Sequence, residues 1–137
     1  PGAVGILPVT PEGKIVMVEQ YRYAIGRTLL EIQAGTREPG EPLEETARRE
    51  LLEETGYWAE AVEELARFFT SPGWSNEEIV LFKAIALDGR GPMPDPDEIL
   101  RVIEVAPADV PGLMRDGTIA DGKTITAVSL HLAGFGL

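Results

Sequence analysis

The chain has 137 residues, no cysteine, and 12 Lys and Arg against 23 Asp and Glu, for a net charge of −11. That length suits one domain whose core needs no cross-links, and the lack of thiols excludes disulfides and thiolate metal sites. The charge argues against a surface for nucleic acid or anionic membrane, and no apolar run approaches the ~20 residues of a membrane helix.

No stretch reads as a secretory signal, and the composition is compatible with a reducing cytoplasm, the expected location. Pro1 is no product of a start codon, so chain is expected upstream of it. The single histidine, His131, excludes a zinc site with two imidazoles and argues against Ser-His-Asp catalysis; it is read as structural or surface-lying. There is no internal repeat, no P-loop and no Gly-x-Gly-x-x-Gly.

In chain order, residues 3–9 read as a strand, residues 10–14 as a hairpin turn, and residues 15–21 as its partner. A short strand over residues 29–34 leads to a loop, where Gly40 makes the turn. Glu41 then stands at the N-cap and Pro42 at the first helical position, where its missing N–H costs nothing. Good helix formers run from Leu43 until Gly56 stops them, and Leu43, Ala47 and Leu51 share one apolar face. Residues 59–70 read as a strand, 71–76 as a loop and 78–87 as another strand. A Pro- and Gly-rich surface loop covers residues 89–97, followed by a strand over residues 101–105. Residues 107–115 form a short helix ended by Asp116-Gly117, and residues 124–133 a final amphipathic helix. Strands around a central helix, with helices at the end, predict an α+β sandwich in a single domain over residues 1–137.

The central helix carries more glutamate than folding requires. Glu44 with Arg48 and Glu45 with Arg49 are ordinary i,i+4 surface pairs. Glu50 and Glu54 instead face one another at i+4, where like charges repel, and Glu53 lies on the same side with Arg49 as the one local cation. A merely acidic surface helix would also carry glutamates. Three carboxylates clustered around a single cation, however, suit a hard cation bound through oxygen, Mg²⁺ or Mn²⁺.

The spacing decides between these readings. From Gly35 the sequence runs Gly-x5-Glu-x7-Arg-Glu-Leu-x-Glu-Glu-x-Gly-Tyr, through Glu41, Arg49, Glu50, Glu53, Glu54 and Gly56 to Tyr57. It resembles the signature box of the Nudix hydrolases at every fixed position, departing only at Tyr57, where that family usually has an aliphatic residue. Several flanking segments resemble the ADP-ribose pyrophosphatase branch. These are Val18-Glu19-Gln20-Tyr21-Arg22, Leu30-Glu31-Ile32-Gln33-Ala34-Gly35 (with Gln33 where proline is common), and Ser71-Pro72-Gly73 at that branch's spacing after Gly56. Pro72 would equally serve as a plain loop breaker.

The resemblance implies a Nudix fold, a mixed sheet between helices, and metal-assisted attack of water on a diphosphate. By it, Glu50, Glu54, Glu53 and the main-chain carbonyl of Ala34 ligate metal, and Glu41 either adds a ligand or orients the loop. Arg49 pairs bidentately with carboxylates, and Glu98 accepts the proton of the water, the competing account being a solvated glutamate. Arg22, Gln20, Pro72, Gly73 and Glu77 are the expected substrate-binding residues. For Arg22 a surface salt bridge is the alternative, and Trp74 is open between the ribose end of the substrate and the core. The implied substrate is a nucleoside diphosphate sugar, ADP-ribose first, cleaved to AMP and ribose 5-phosphate. The branch is homodimeric and usually carries an N-terminal segment before the first strand seen here, which this sequence lacks. Two alternatives stay open. One is a Nudix hydrolase of dinucleotides or damaged nucleoside triphosphates. The other is a non-catalytic ADP-ribose sensor, against which the full set of box glutamates argues.

Overall fold

A computed structural model describes residues 2–89 and 99–136, with backbone alone at residues 99 and 100. Seven strands are described: β1 (Ala3–Val9), β2 (Ile15–Arg22), β3 (Arg27–Glu31), β4 (Gln33–Thr36), β5 (Tyr57–Phe69), β6 (Glu78–Asp88) and β7 (Ile99–Val105). The helices are α1 (Leu43–Thr55), α2 (Val110–Arg115), entered through a 3-10 turn at Pro107–Asp109, and α3 (Gly122–Leu132).

β1 runs parallel to β6 along its whole length, while its other edge is shared. Residues Ala3 to Ile6 pair with β4, and Val9 alone pairs with Ile15 of β2. The mixed sheet therefore splays into two wings, β4-β1-β6-β5 and β7-β2-β3. The continuous run expected over residues 29–34 is in fact two strands, because the chain changes wing there: β3 pairs with β2 and β4 with β1. At the crossing, the Ile32 N–H leaves the ladder and donates to Thr124 Oγ1 at 3.1 Å.

Each face of the sheet buries its own core. Val4, Ile6, Val16, Val80 and Phe82 meet Ala47 and Leu51 of α1. On the opposite face Leu7, Ile15, Met17, Ile32 and Leu81 meet Val110 of α2, Ile119, and Ala127 and Val128 of α3. The α+β layout of a mixed sheet between helices is thus the one observed. Burying a leucine such as Leu51 completely contributes about 1.5–3 kcal/mol.

Other boundaries differ in instructive ways. Pro42, not Glu41, is the N-cap of α1, with ψ at 144°, because the Glu41 side chain is drawn towards Thr46 and Arg49. Gly56 ends the helix in the left-handed region at φ 80°, as expected. α3 starts at Gly122, ahead of the expected Thr124, since Asp121 caps it by accepting the Thr124 N–H. β5 begins at Tyr57, whose hydroxyl donates to Glu104 at 2.7 Å. The expected i,i+4 pairs of α1 are replaced by others: Arg48 donates to the Ala59 carbonyl and meets Glu45 at 4.0 Å, while Arg49 goes to Glu41, Glu50 and Glu53.

Candidate functional site

The apolar stripe of α1 lies on the β4-β1-β6-β5 wing, which sets the adjoining flank that carries Glu50 against Gly35 of β4. Arg49 organises that side. Its Nε donates to Glu41 Oε2 at 2.9 Å and its Nη2 to Glu41 Oε1 at 3.0 Å, the bidentate fork expected of a guanidinium on a carboxylate. Nη1 reaches Glu50 at 2.9 Å and Glu53 at 3.4 Å, and Nη2 also reaches the Thr36 carbonyl at 3.3 Å. One cation thus gathers three carboxylates and ties them to the end of β4.

Glu41 accepts from Arg49, from the Thr46 hydroxyl at 2.7 Å and from the Glu38 N–H at 3.1 Å. These bonds, Arg49 foremost, hold its pKa down at about 2. Glu50 presses against the backbone of β4: a Cβ built on Gly35 would lie 2.2 Å from its Cδ and 2.4 Å from its Oε1. Only a glycine leaves that space, and the carboxylate occupies it beside the peptide of Ala34. Glu53 is the exposed member, at 52%.

Glu54 faces a cleft of about 730 Å³ whose lining joins Gln20 and Arg22 of β2, Ala34 and Gly35 of β4, Glu77, and Lys123 of α3. Five expected residues, Gln20, Arg22, Ala34, Glu54 and Glu77, therefore share one cavity, with Glu50, Glu53, Glu41 and Arg49 on the helix and loop beside it. Pro72 and Gly73 are exposed on the loop before β6 and do not line the cleft. Trp74 is 85% exposed, so it is not core. Glu98 lies outside the described residues.

Among the described residues no three acidic or imidazole groups stand together as a ready cage for a metal ion. The donors nevertheless fit a hard divalent cation. Those offered by Glu50, Glu53, Glu54 and the Ala34 carbonyl are all oxygens, and the side-chain carboxylates lie on one side of one helix. The glycine-lined space under Glu50 brings the helix side chain onto the strand.

At the floor of the cleft, Arg22 grips Glu31 through two bonds, Nε to Oε2 at 2.8 Å and Nη2 to Oε1 at 2.6 Å. The salt bridge weighed for Arg22 does form, although its partner is wholly buried and not at the surface. Lys123 Nζ reaches the same Glu31 Oε1 at 2.7 Å and Asp121 at 3.1 Å. Burial pushes the Glu31 carboxyl up, but the Arg22 hydrogen bonds and the Lys123 charge outweigh it and leave the pKa lowered. The sequence signal for Glu31 was a charge inside the apolar run Leu29-Leu30-x-Ile32; nothing local to Lys123 marked it. Tyr21 and Tyr23 also line the cleft, packed edge to face with centroids 4.8 Å apart.

The family model for the NUDIX domain matches residues 1–128. Over 131 residues the chain is 44% identical to an ADP-ribose pyrophosphatase of Bacillus subtilis, covering 93% of this chain and 70% of that protein. It is 43% identical to a methanol dehydrogenase activator of Bacillus methanolicus, with the same shares covered. A GDP-mannose pyrophosphatase of Yersinia enterocolitica is 35% identical, over 90% of this chain and 69% of that protein. Among solved structures, an ADP compounds hydrolase superposes with a TM-score of 0.85 at 21% identity, covering 96% of this chain and 71% of that one, a likeness of fold.

Proposed function

The chain belongs to the Nudix hydrolase family, and from that premise we propose that it hydrolyses the diphosphate linkage of ADP-ribose or a related nucleoside diphosphate sugar. The observation that carries this reading is the joining of two half-sites in one cleft. Glu54 and the Ala34–Gly35 strand end lie on one side, and the cationic Arg22 and Lys123 on the other.

In this reading Glu50, Glu54 and Glu53, with the Ala34 carbonyl, would hold divalent cations, Mg²⁺ or Mn²⁺. When bound, such ions polarise the phosphate oxygens and lower the pKa of the attacking water. Arg49 positions the carboxylates and does not reach substrate: every one of its hydrogen bonds described here goes to Glu41, Glu50, Glu53 or the Thr36 carbonyl. Glu41, already engaged by Arg49, Thr46 and Glu38, orients the loop into α1. Arg22, with Gln20 and Glu77 beside it, receives the anionic substrate, which the net charge of −11 would otherwise repel. Pro72 and Gly73 shape the neighbouring loop, and Glu98 accepts the proton of the attacking water by family resemblance. Water adds to one phosphorus, the bridging P–O bond breaks, and AMP leaves with ribose 5-phosphate as the second product.

The same reading takes residues 1–137 as a single Nudix domain acting as a cytoplasmic homodimer. No described helix is long and apolar enough to cross a membrane. Product analysis with ADP-ribose and Mg²⁺, beside a panel of dinucleotides, GDP-sugars and oxidised nucleoside triphosphates, tests the substrate. AMP and ribose 5-phosphate released fastest from ADP-ribose are expected. Binding without cleavage would make the chain a sensor, and faster turnover of a dinucleotide or triphosphate would replace the substrate class.

A further inference from the structure

We infer that Lys123 is a positioning residue for substrate binding: it holds the charge of Glu31 so that Arg22 can leave that carboxylate for an anionic group in the cleft. The inference rests on the substrate reading above and deepens it.

Arg22 is 43% exposed at the cleft, yet both bonds of its fork go to Glu31, a carboxylate with 1% of its side chain exposed. A buried carboxylate stripped of its cation is among the costliest defects a fold can hold. With Arg22 as sole partner, Glu31 would keep the guanidinium, and a phosphate would have to displace it against that cost. Lys123 changes the balance. Its ammonium sits on Glu31 Oε1, the oxygen that Arg22 Nη2 also uses, and its own side chain is only 11% exposed. The lysine cannot leave easily, because α3 is fixed beside the carboxylate at its first turn. There Asp121 caps the helix and holds Nζ at 3.1 Å, and Thr124 Oγ1 accepts the Ile32 N–H next to Glu31. Glu31 is therefore shared between one anchored cation and one that opens onto the cavity. A guanidinium is protonated on or off its carboxylate, so Arg22 carries its charge with it. Arg22 can turn to substrate while Glu31 remains paired.

The test compares wild type, Lys123→Met, Lys123→Arg, Glu31→Gln and Lys123→Met/Glu31→Gln. The readouts are KM and kcat for ADP-ribose and the dissociation constant of ADP in metal-free buffer. Removing the anchored cation pins Arg22 on Glu31, so Lys123→Met is expected to raise KM and the ADP constant about tenfold, with kcat within about threefold. Lys123→Arg restores binding. Neutralising Glu31 removes what Arg22 is pinned to, so the double variant returns to within about threefold of wild type. A lysine touching substrate would not produce that recovery, and a merely structural lysine would not give the split in which KM rises while kcat holds.

Wild-type binding by Lys123→Met, or a double variant as weak as the single one, overturns the inference while wild-type turnover leaves the substrate reading intact. If Lys123→Met does not fold, the double variant and Glu31→Gln alone, which bury no carboxylate there, must bind ADP equally, and a difference overturns it. A wild-type protein that neither cleaves ADP-ribose nor binds ADP takes down both.

Discussion

Gly35→Ala tests whether the seat of the Glu50 carboxylate on β4 matters to the chemistry. Gly35 is not among the glycines with positive φ, so its backbone accepts an alanine. The obstacle is the side chain: the new Cβ would stand 2.2 Å from Glu50 Cδ and 2.4 Å from Cγ. Carbon atoms settle at about 3.5–4.0 Å, so the carboxylate must retreat by about 1–2 Å. The atoms that move are the end of a flexible side chain, and the ion pair disturbed is that of Glu50 with Arg49, both partly exposed. Such pairs contribute about 0–1 kcal/mol, so Tm is expected to fall by no more than about 5 °C. A displacement of ~1 Å in a positioned group costs about a hundredfold in rate, or about 2.7 kcal/mol of transition-state stabilisation. The assay is kcat on ADP-ribose across a Mg²⁺ titration, beside a thermal melt. Wild-type kcat at ordinary Mg²⁺ with an unchanged Tm would refute the role given to Glu50's position. A collapse of Tm would refute the claim that the carboxylate alone gives way.

Three further outcomes are expected. Glu54→Gln, whose side chain lines the cleft, cuts turnover by at least about a hundredfold with Tm preserved; near-normal rates at saturating Mg²⁺ would remove it from the metal ligands. Tyr57→Phe deletes the hydroxyl that donates to Glu104 and lowers stability by about 1 kcal/mol in urea titration, whereas an unchanged midpoint would mean that water replaces it at no cost. Burial, then the Lys83 charge, lowers the His131 pKa from its ordinary 6.5, so the unfolded chain binds the proton more readily than the folded one. The stability due to neutral His131 is thus complete above pH 6.5 and is lost as pH falls below it. Melts from pH 8 to 5 should show that decline in wild type and a flatter profile in His131→Gln.

What was legible in the sequence is what local chemistry dictates. The Pro42 and Gly56 punctuation bounded α1 to within one residue at each end, and alternation and turn residues gave β1 and β2 almost to their limits. The box glutamates and Arg49 were found because their spacing on one helix is a one-dimensional fact. The split at Ile32 was not legible: an apolar run reads as one strand, and only the exchange of partners, β2 for β1, divides it. The partners of Glu31 were hidden for the same reason, since Lys123 lies 92 positions along the chain from it. Arg22 was visible as a cation near the box, but its fork on a buried carboxylate belongs to tertiary structure.

The crossing at Ile32 also bears on synthesis. Glu50 and Glu54 ride on the wing completed by β4 and β6, whereas Arg22 and Glu31 ride on the other, and the junction is latched by Thr124, 92 residues later. A chain emerging from the ribosome can form its hairpin and its acidic helix early, from neighbouring residues. The cleft then waits for α3 to emerge and dock. Nascent chains stalled before residue 121 should be compact yet inert, and hydrolytic competence should appear only once α3 has emerged.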